Sequence, residues 1–494
     1  MDADQRVCPA GKAPPGTGQV ALYASGGSPY HHRYVLAQAG IRADFLDAEQ
    51  IRVGALAAYQ ALIVPGGGDH AMAGQLRPLG EEGCRAVASF VEGGGLYIGC
   101  CAGAVIACAA PRSLVDACPE QRALRLLDVP AWNQDAREPD GLRSPGIGAY
   151  VARVLAPGHP IVGDLPETFE ITHYNGPLFG PLPEGSIALF APAALTERFT
   201  PAERFLQDAQ APGATTLMER AIAQGQPAAV VGPRGKGQVV LFGSHPEFGV
   251  DSLLEEIGPA ARLLTNAIRW HAGLDPGDGP AEGSPTGQRS PVGGFAREQE
   301  VPHPRILCAQ LCTLLDTLIA SAARVAAAAA ALGMLPLTPE PDWLDPRRCL
   351  ALCGLAPLDV WRTHLASIER RTSELEGLVS EVKGRLAAMG DPQLIRLYHD
   401  LAHRPAHGQD HGYTGMLFLL RRALAMLRRA RQNWAITLPP PNPDPYQNWQ
   451  QNPYHLAVGS YLAAAGLVQA AVLQARSTLL ETSIGNGVRD AIHA

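Results

Sequence analysis

The sequence has no long uninterrupted apolar run and no strong excess of one charge. The N-terminal stretch MDADQRVCPAGKAPPGTG has no apolar segment after a basic start, so we expect no signal peptide. The longest apolar-looking segment, Leu314 to Leu337, is mostly alanine and contains Asp316 and Arg324. Those charges are typical of a buried bundle helix rather than of a membrane span. We therefore expect no membrane partner.

Charge is also scarce. Charged residues make up 18% of the 494 residues, and the formal net charge is only −7. A nucleic-acid partner is not expected, because binding would require a clear basic excess. The apolar fraction of 46% indicates a folded protein rather than a disordered chain. Ten cysteines without a secretion signal indicate free thiols and a reducing compartment, so we predict a cytoplasmic location.

Four segments follow from the pattern along the chain. Residues 1–17 form a loose tail, and residues 18–272 alternate short apolar strands with helices, as in a doubly wound, mostly parallel α/β sheet. Residues 273–303 are a Gly/Pro-rich linker, and residues 304–494 form a separate all-α bundle. The predicted strands of the α/β domain are 20–24, 43–48, 61–64, 96–100, 149–156, 169–174 and 186–191, followed by a hairpin over 228–243. The predicted helices include 30–40, 81–95, 102–110 and 259–271.

One helix of the C-terminal half has a heptad seam. Its apolar or near-apolar side chains recur in steps of three and four, at Leu365, Ile368, Thr372, Leu375, Val379, Val382, Leu386 and Met389. This seam predicts helix packing, either within the chain or with a partner.

The segment GCCAGA, residues 99–104, carries the first candidate for chemistry. Two glycines four positions apart, between a strand and a helix, allow a sharp turn with a nucleophile at its tip. Cys101 lies midway between them, where the helix N-terminus favours a thiolate. Cys100 takes the preceding position and points back into the sheet. The alternative is that both are ordinary core cysteines.

A thiol nucleophile needs a base and a group that orients the base. The apolar run VVLFG ends in SHPEFG, which places His245 and Glu247 after a strand. If the strands are parallel, these residues lie on the same sheet edge as Cys101. In an extended chain, residues two apart share a face, so Glu247 can orient the His245 imidazole. The alternative for His-Pro-Glu alone is an exposed turn.

A third strand ends in PGGG, residues 65–68. Bare backbone N–H groups of Gly66, Gly67 and Gly68, together with that of Ala102, are candidates for an oxyanion hole. A phosphate loop would require Lys-Ser/Thr after the glycines, whereas Asp69 and His70 follow.

The strand end PGG, the G-x-C-x-G turn and the downstream H-x-E together resemble the class I glutamine amidotransferase superfamily. More narrowly, VPGGGD, IGCCAGA, HYNGP and GKGQVVLFGSHPEFG resemble the biotin-protein ligase N-terminal domain family, over about residues 18–272. The resemblance implies a flavodoxin-like fold with Cys101 as nucleophile, His245 as base and Glu247 as orienting residue. It also implies that His173, Tyr174 and Asn175 lie near the site and contact substrate.

The chain differs from a ligase in having no GRGR-like loop, and we expect no synthase domain to receive ammonia. The expected function is therefore hydrolysis or transfer at an amide or related carbonyl of a small molecule, with no cofactor and no metal. The alternative is a catalytically silent ligand-binding or regulatory module whose helical half mediates oligomerisation or binds a protein partner.

Three further groups have ordinary structural explanations beside functional ones. The segment 398–412 is rich in histidine, and His399 and His403 are spaced to share a metal on one helix face. The pairs Cys308/Cys312 and Cys349/Cys353 suggest a four-thiolate site, although core packing is the simpler interpretation. A basic helix face is either solvated or binds an acidic partner; its members are Arg421, Arg422, Arg428, Arg429 and Arg431.

Overall fold

The computed structural model of the protein describes most of residues 20–274 and a smaller part of the C-terminal half. The described ranges are 20–27, 29–66, 71–135, 141–197, 199–202, 215–248, 258–274 and 368–390, with positions 306, 308, 309, 312, 313, 315–320, 323, 394, 473, 476, 477 and 480. The predicted tail, nearly all of the predicted linker and the groups at 349, 353, 399–411 and 421–431 lie outside these residues.

Within the described residues, a ten-stranded mixed sheet extends from Val20 to Phe242. Its strands are β1 (Val20–Tyr23), β2 (Ala43–Leu46), β3 (Ala61–Val64), β4 (Leu96–Cys100), β5 (Gly146–Val154), β6 (Thr168–Tyr174), β7 (Ile187–Leu195), β8 (Thr200–Pro201), β9 (Ala229–Arg234) and β10 (Gly237–Phe242). The order is β2-β1-β3-β4-β10-β9-β7-β5-β6, with β8 paired to β5. The α/β fold class predicted from the sequence is confirmed.

The sheet has a parallel half and an antiparallel half. Strands β2, β1, β3, β4 and β10 run parallel to one another. Beyond β10 every pairing is antiparallel, beginning with the β9–β10 hairpin that the sequence predicted over 228–243. The parallel half brings the carboxyl ends of β3, β4 and β10 to one edge, where the candidate residues follow.

Helices cover both faces of this sheet. They are α1 (Tyr30–Gln38), α2 (Ala48–Arg52), α3 (Ala71–Glu92), α4 (Ala102–Ala107), α5 (Arg112–Ala117), α6 (Gln121–Leu124), α7 (Leu217–Gln224) and α8 (Arg262–His271), with 3-10 turns at Ala55–Ala58, Pro246–Phe248 and Pro259–Ala261. Alternate residues of β1 enter opposite cores. Val20 and Leu22 pack with α1 and α8, whereas Ala21 and Tyr23 pack with α2 to α6. This two-sided burial makes the fold doubly wound.

Helix α3 begins ten residues before the predicted start at Glu81. It bends at Gly80, which has φ +59°, and it contains Pro78. The predicted helix corresponds to the part after this bend. The earlier part was missed because Gly74, Pro78 and Gly80 weaken its helical signal.

In the C-terminal half, α9 spans Ile368–Ala388. Four positions of the predicted heptad seam are buried, namely Val379, Val382, Leu386 and Met389. They share one apolar core with Leu315, Leu318 and Leu473 and with the α1–α8 side of the sheet. At these positions the seam therefore packs within the chain. No helix in the described ranges combines the length and apolar character needed to cross a lipid bilayer.

Candidate functional site

The strand-to-helix turn at Cys101 has the strained backbone that the GCCAGA spacing predicts. Cys101 has φ +51° and ψ −111°, between the end of β4 and the start of α4. A β-carbon on Gly99 would lie 2.5 Å from the carbonyl oxygen of Gly103. A β-carbon on Gly103 would lie 2.1 Å from the carbonyl oxygen of Val64. Both flanking positions therefore require glycine for the chain to turn this tightly.

The two adjacent cysteines occupy different environments. Cys101 is partly exposed, and its thiol donates a hydrogen bond to the carbonyl oxygen of Tyr174 at 3.4 Å. Cys100 is fully buried, and burial, together with the charges of Glu247 and Cys101, raises the pKa of its thiol well above the usual range. Cys101 is thus the accessible thiol of the pair, as expected from its position midway between the glycines.

His245 and Glu247 follow β10, which runs parallel to β4 and pairs Phe242 with Cys100. The backbone N–H of His245 bonds the carbonyl of Thr172 at 2.8 Å. Nδ1 of His245 lies 2.7 Å from Oε1 of Glu247. The predicted contact between imidazole and carboxylate is therefore present.

The backbone that makes this contact is not extended throughout. The chain enters a 3-10 turn at Pro246–Phe248 immediately after His245, and the N–H of Phe248 bonds the carbonyl of His245 at 3.3 Å. Proline suits the first position of such a turn because its missing N–H would have no partner there. This 3-10 turn brings the Glu247 carboxylate to the imidazole, whereas the sequence predicted that an extended strand would do so.

Burial and charge act against each other at this pair. Burial lowers the pKa of His245, but Glu247 and Cys101, by charge and by hydrogen bonding, raise it to about 10. Burial raises the pKa of Glu247, but the charges of His32 and His245 lower it to about 2. The pair therefore favours an ionised carboxylate beside a protonated imidazole at neutral pH.

Gly66 joins the two halves of the site. A β-carbon on Gly66 would lie 2.7 Å from Cβ of Cys101 and 2.8 Å from Cε1 of His245. The carboxyl ends of β3, β4 and β10 therefore meet at these three residues. Of the predicted oxyanion-hole residues, Ala102 begins α4, while Gly67 and Gly68 lie outside the described residues.

Of the segment His173, Tyr174 and Asn175, which the resemblance placed near the site, Tyr174 contacts Cys101 through its carbonyl oxygen. The ring of Tyr174 is perpendicular to that of His245, with centroids 6.4 Å apart. Asn175 has φ +55°. His173 is fully buried, and burial and the nearby His245 lower its pKa to about 3. His173 is therefore a neutral, buried side chain at pH 7.

Three residues near the site were missed from the sequence. Phe248 stacks on His245 with ring centroids 4.4 Å apart and an interplanar angle of 5°. Ser244 lies 3.1 Å from Nδ1 of His173. His32, from α1, places Nε2 3.6 Å from Oε2 of Glu247. Ser244 and Phe248 flank the H-P-E motif and could have been found there, but nothing in the sequence connects His32 with Glu247.

Within the part of the chain that the structure describes, one buried group has ligand-type atoms close enough for a metal ion. His32, Cys100 and Glu247 each offer one such atom, all within 4.8 Å of one another. Imidazole nitrogen, thiolate sulfur and carboxylate oxygen are ligands of zinc. These residues could hold a metal, although Oε1 of Glu247 already contacts His245.

A match to one family model agrees with the resemblance seen in the sequence. The family described as "Biotin-protein ligase, N terminal" matches residues 45–116, which include the GCCAGA turn. No curated protein matches the chain.

Among solved structures, a glutamine amidotransferase is 22% identical, with a TM-score of 0.33. The match covers 52% of this chain and 99% of the amidotransferase chain. A ThuA-like protein from Bacteroides uniformis is 15% identical, with a TM-score of 0.34, covering 56% and 98%. A second ThuA-like protein, from Parabacteroides merdae, is 15% identical, with a TM-score of 0.31, covering 53% and 93%.

Proposed function

We propose that the α/β part of the chain is a thiol enzyme that hydrolyses or transfers an acyl group at an amide or related carbonyl of a small molecule. Cys101 is the nucleophile, His245 exchanges the proton, and Glu247 orients His245. The observation that carries the proposal is the meeting of a strained cysteine with a His–Glu pair at the ends of neighbouring parallel strands.

The charge state of the pair supports this assignment. A His245 that keeps its proton at neutral pH stabilises a thiolate beside it, and the thiolate is the reactive form of cysteine. The thiolate attacks the carbonyl carbon, and the carbonyl electron pair moves onto oxygen to give a tetrahedral oxyanion. Backbone N–H groups of Ala102, Gly67 and Gly68 are the proposed donors to that oxyanion.

The remaining steps need one proton carrier. When the tetrahedral species collapses, the C–N bond breaks, and the proton on Nε2 of His245 passes to the leaving amine. This leaves an acyl thioester on Cys101 and a neutral imidazole. His245 then takes a proton from water, or from an acceptor amine, as that nucleophile attacks the thioester. Expulsion of the thiolate from the second tetrahedral species releases the product and restores the ion pair.

The first test is the rate of alkylation of each cysteine as a function of pH, read by mass spectrometry. A free thiol ionises near pH 8.5 (roughly), whereas an activated one reacts well below that. Cys101 is expected to react fast at about pH 6 to 7 in the wild type and to lose this advantage in His245→Ala. Cys312, a partly buried thiol outside the site, provides the internal comparison in the same digest.

The second test is turnover. We expect a screen of small amides to release amine or ammonia with the wild type and not with Cys101→Ala. Turnover that persists in Cys101→Ala would refute the mechanism. A Cys101 that reacts like the buried thiols would instead favour the alternative of a silent ligand-binding module.

A further inference from the structure

The second carboxylate oxygen of Glu247 faces a residue from another element. Oε1 contacts His245, whereas Oε2 lies 3.6 Å from Nε2 of His32. The side chains of His32 and Glu247 are 0% and 2% exposed. The separation is longer than a hydrogen bond but within ion-pair distance, so the contact is ionic when His32 is protonated. With water excluded, such a charge is poorly screened.

Helix α1 presses on the His-Pro-Glu turn at two successive residues. His31 packs edge-on against Phe248, with ring centroids 4.9 Å apart. Phe248 in turn lies flat on the imidazole of His245. His32 reaches the carboxylate of the same turn. The first turn of α1 therefore contacts both Phe248 and Glu247 of the 3-10 turn.

Among the described residues, the titratable and charged groups near His32 come from three elements. The 3-10 turn supplies Glu247, and strand β4 supplies the Cys100 thiol, whose sulfur lies within 4.8 Å of the His32 and Glu247 ligand atoms. On α1 itself, His31 is buried, and the Arg33 guanidinium sits 4.8 Å from the ring of Phe45. Among the residues that the structure describes, Glu247 is an acidic group placed against His32.

We propose that His32 is a positioning residue for the site. Its imidazole lies against Oε2 of Glu247, at the far side of the carboxylate from His245, and so keeps Oε1 facing Nδ1 of His245. A buried carboxylate oxygen that faces no polar group is costly, so without His32 the carboxylate would gain by rotating away from its present position. Loss of His32 should therefore weaken the Glu247–His245 contact and, through it, the thiolate of Cys101. This consequence for the thiolate rests on the proposed function, whereas the contact itself does not.

The test compares His32→Leu, which removes the charge and the donor, with His32→Gln, which keeps a neutral donor. Alkylation of Cys101 by iodoacetamide is measured from pH 5 to 9 in the full-length protein. We expect His32→Leu to react at least about fivefold more slowly than the wild type at pH 6 and at the same rate at pH 9, where any thiol near its ordinary pKa is ionised. His32→Gln should fall between the two. His159→Gln, a substitution outside the site, should follow the wild type.

A slower rate at every pH would indicate only a structural role for His32 and would overturn the proposal, as would wild-type profiles in both variants. If Cys101 of the wild type proves unreactive, a second readout still tests the contact. The ring signals of 15N-labelled histidine, assigned by comparison with His245→Gln, report the titration of His245 directly. A shift of that titration to lower pH in His32→Leu supports His32 as a positioning residue even where the thiol mechanism fails.

Metal analysis tests the other interpretation of these residues, which is that they bind a metal ion. If one zinc ion per chain is bound on exposure of the wild type to zinc and is lost in His32→Gln and in Cys100→Ser, then His32, Cys100 and Glu247 form a metal site, and the positioning proposal is wrong. Wild-type protein that stays free of bound zinc after dialysis supports the direct contact.

Discussion

Gly66 lies directly against Cys101. A β-carbon on the glycine would come within 2.7 Å of the cysteine's own β-carbon and would also meet Cε1 of His245. Contacts this short cannot be made, so one of the three elements would have to move. The lack of a side chain at Gly66 therefore allows the thiol of Cys101 and the imidazole of His245 to take their present positions.

We expect Gly66→Ala to slow Cys101 alkylation at pH 6 by roughly tenfold or more, because the added methyl separates thiol and imidazole and a misplacement of about 1 Å is costly. The measurement is the alkylation rate beside the unfolding midpoint. Gly158→Ala is the matched control, since a β-carbon there meets nothing within 4 Å. Equal rates in the two variants would contradict this prediction.

The backbone strain at Cys101 should be measurable separately from its thiol. Cys101→Ala and Cys101→Gly both remove the sulfur, but only glycine adopts φ +51° with ψ −111° without strain. We expect the glycine variant to be more stable than the alanine variant by about 1 kcal/mol. Urea unfolding of the two variants measures the difference. An alanine variant at least as stable as the glycine variant would show that the backbone relaxes on substitution.

The His245–Glu247 pair should stabilise the fold in a defined pH range. The pKa of His245 is raised from 6.5 to about 10, so its stabilisation is complete below pH 6.5 and is lost as the pH rises through 10. The melting temperature of the wild type minus that of His245→Gln should therefore shrink between about pH 6 and pH 10.

His159 provides a control of opposite sign for that experiment. Burial lowers its pKa, so its charged form destabilises the fold at low pH. The wild type minus His159→Gln difference should become less favourable as the pH falls below about 6.5 and should be flat above that value. A His245 difference that grows towards pH 10 would overturn the assigned direction.

The seam of α9 gives a prediction for the C-terminal half. Leu386 is 1% exposed in the core that α9 shares with the sheet domain. Leu386→Ala should destabilise the protein by about 2–5 kcal/mol. Ser380→Ala, at an exposed position of the same helix, should change stability by less than about 0.5 kcal/mol. Chemical unfolding of the full chain checks both. Similar small effects would mean that the seam is not packed.

The parallel half of the sheet was predictable because its strands are continuous apolar runs closed by glycine or proline. The run LYIGC gives β4 without ambiguity, and the glycines of GCCAGA indicate the sharp turn at Cys101. The position of His245 and Glu247 could be inferred because both follow a strand, and strand ends gather at one edge.

The contacts made by α1 could not be predicted in this way. His31 and His32 lie in a short helix whose sequence has no clear apolar stripe, and Glu247 is distant along the chain. Nothing local shows that the two meet, because the meeting depends on how α1 packs against the 3-10 turn. The bend at Gly80 and the two-residue strand β8 could not be predicted for a related reason, because tertiary packing overrides weak local preference.

The strand order of the mixed sheet has a consequence for folding during synthesis on the ribosome. Strands β1 to β4 and the cysteine turn are synthesised first, but β4 then lacks the neighbour that β10 later provides. Until β10 emerges, the nascent chain has an apolar, unpaired edge at β4, and such edges are prone to aggregation. The same late strand delivers His245, so the thiol of Cys101 stays without its imidazole for as long as the edge is open. Reactivity and protection from aggregation therefore arrive together, in a single pairing event.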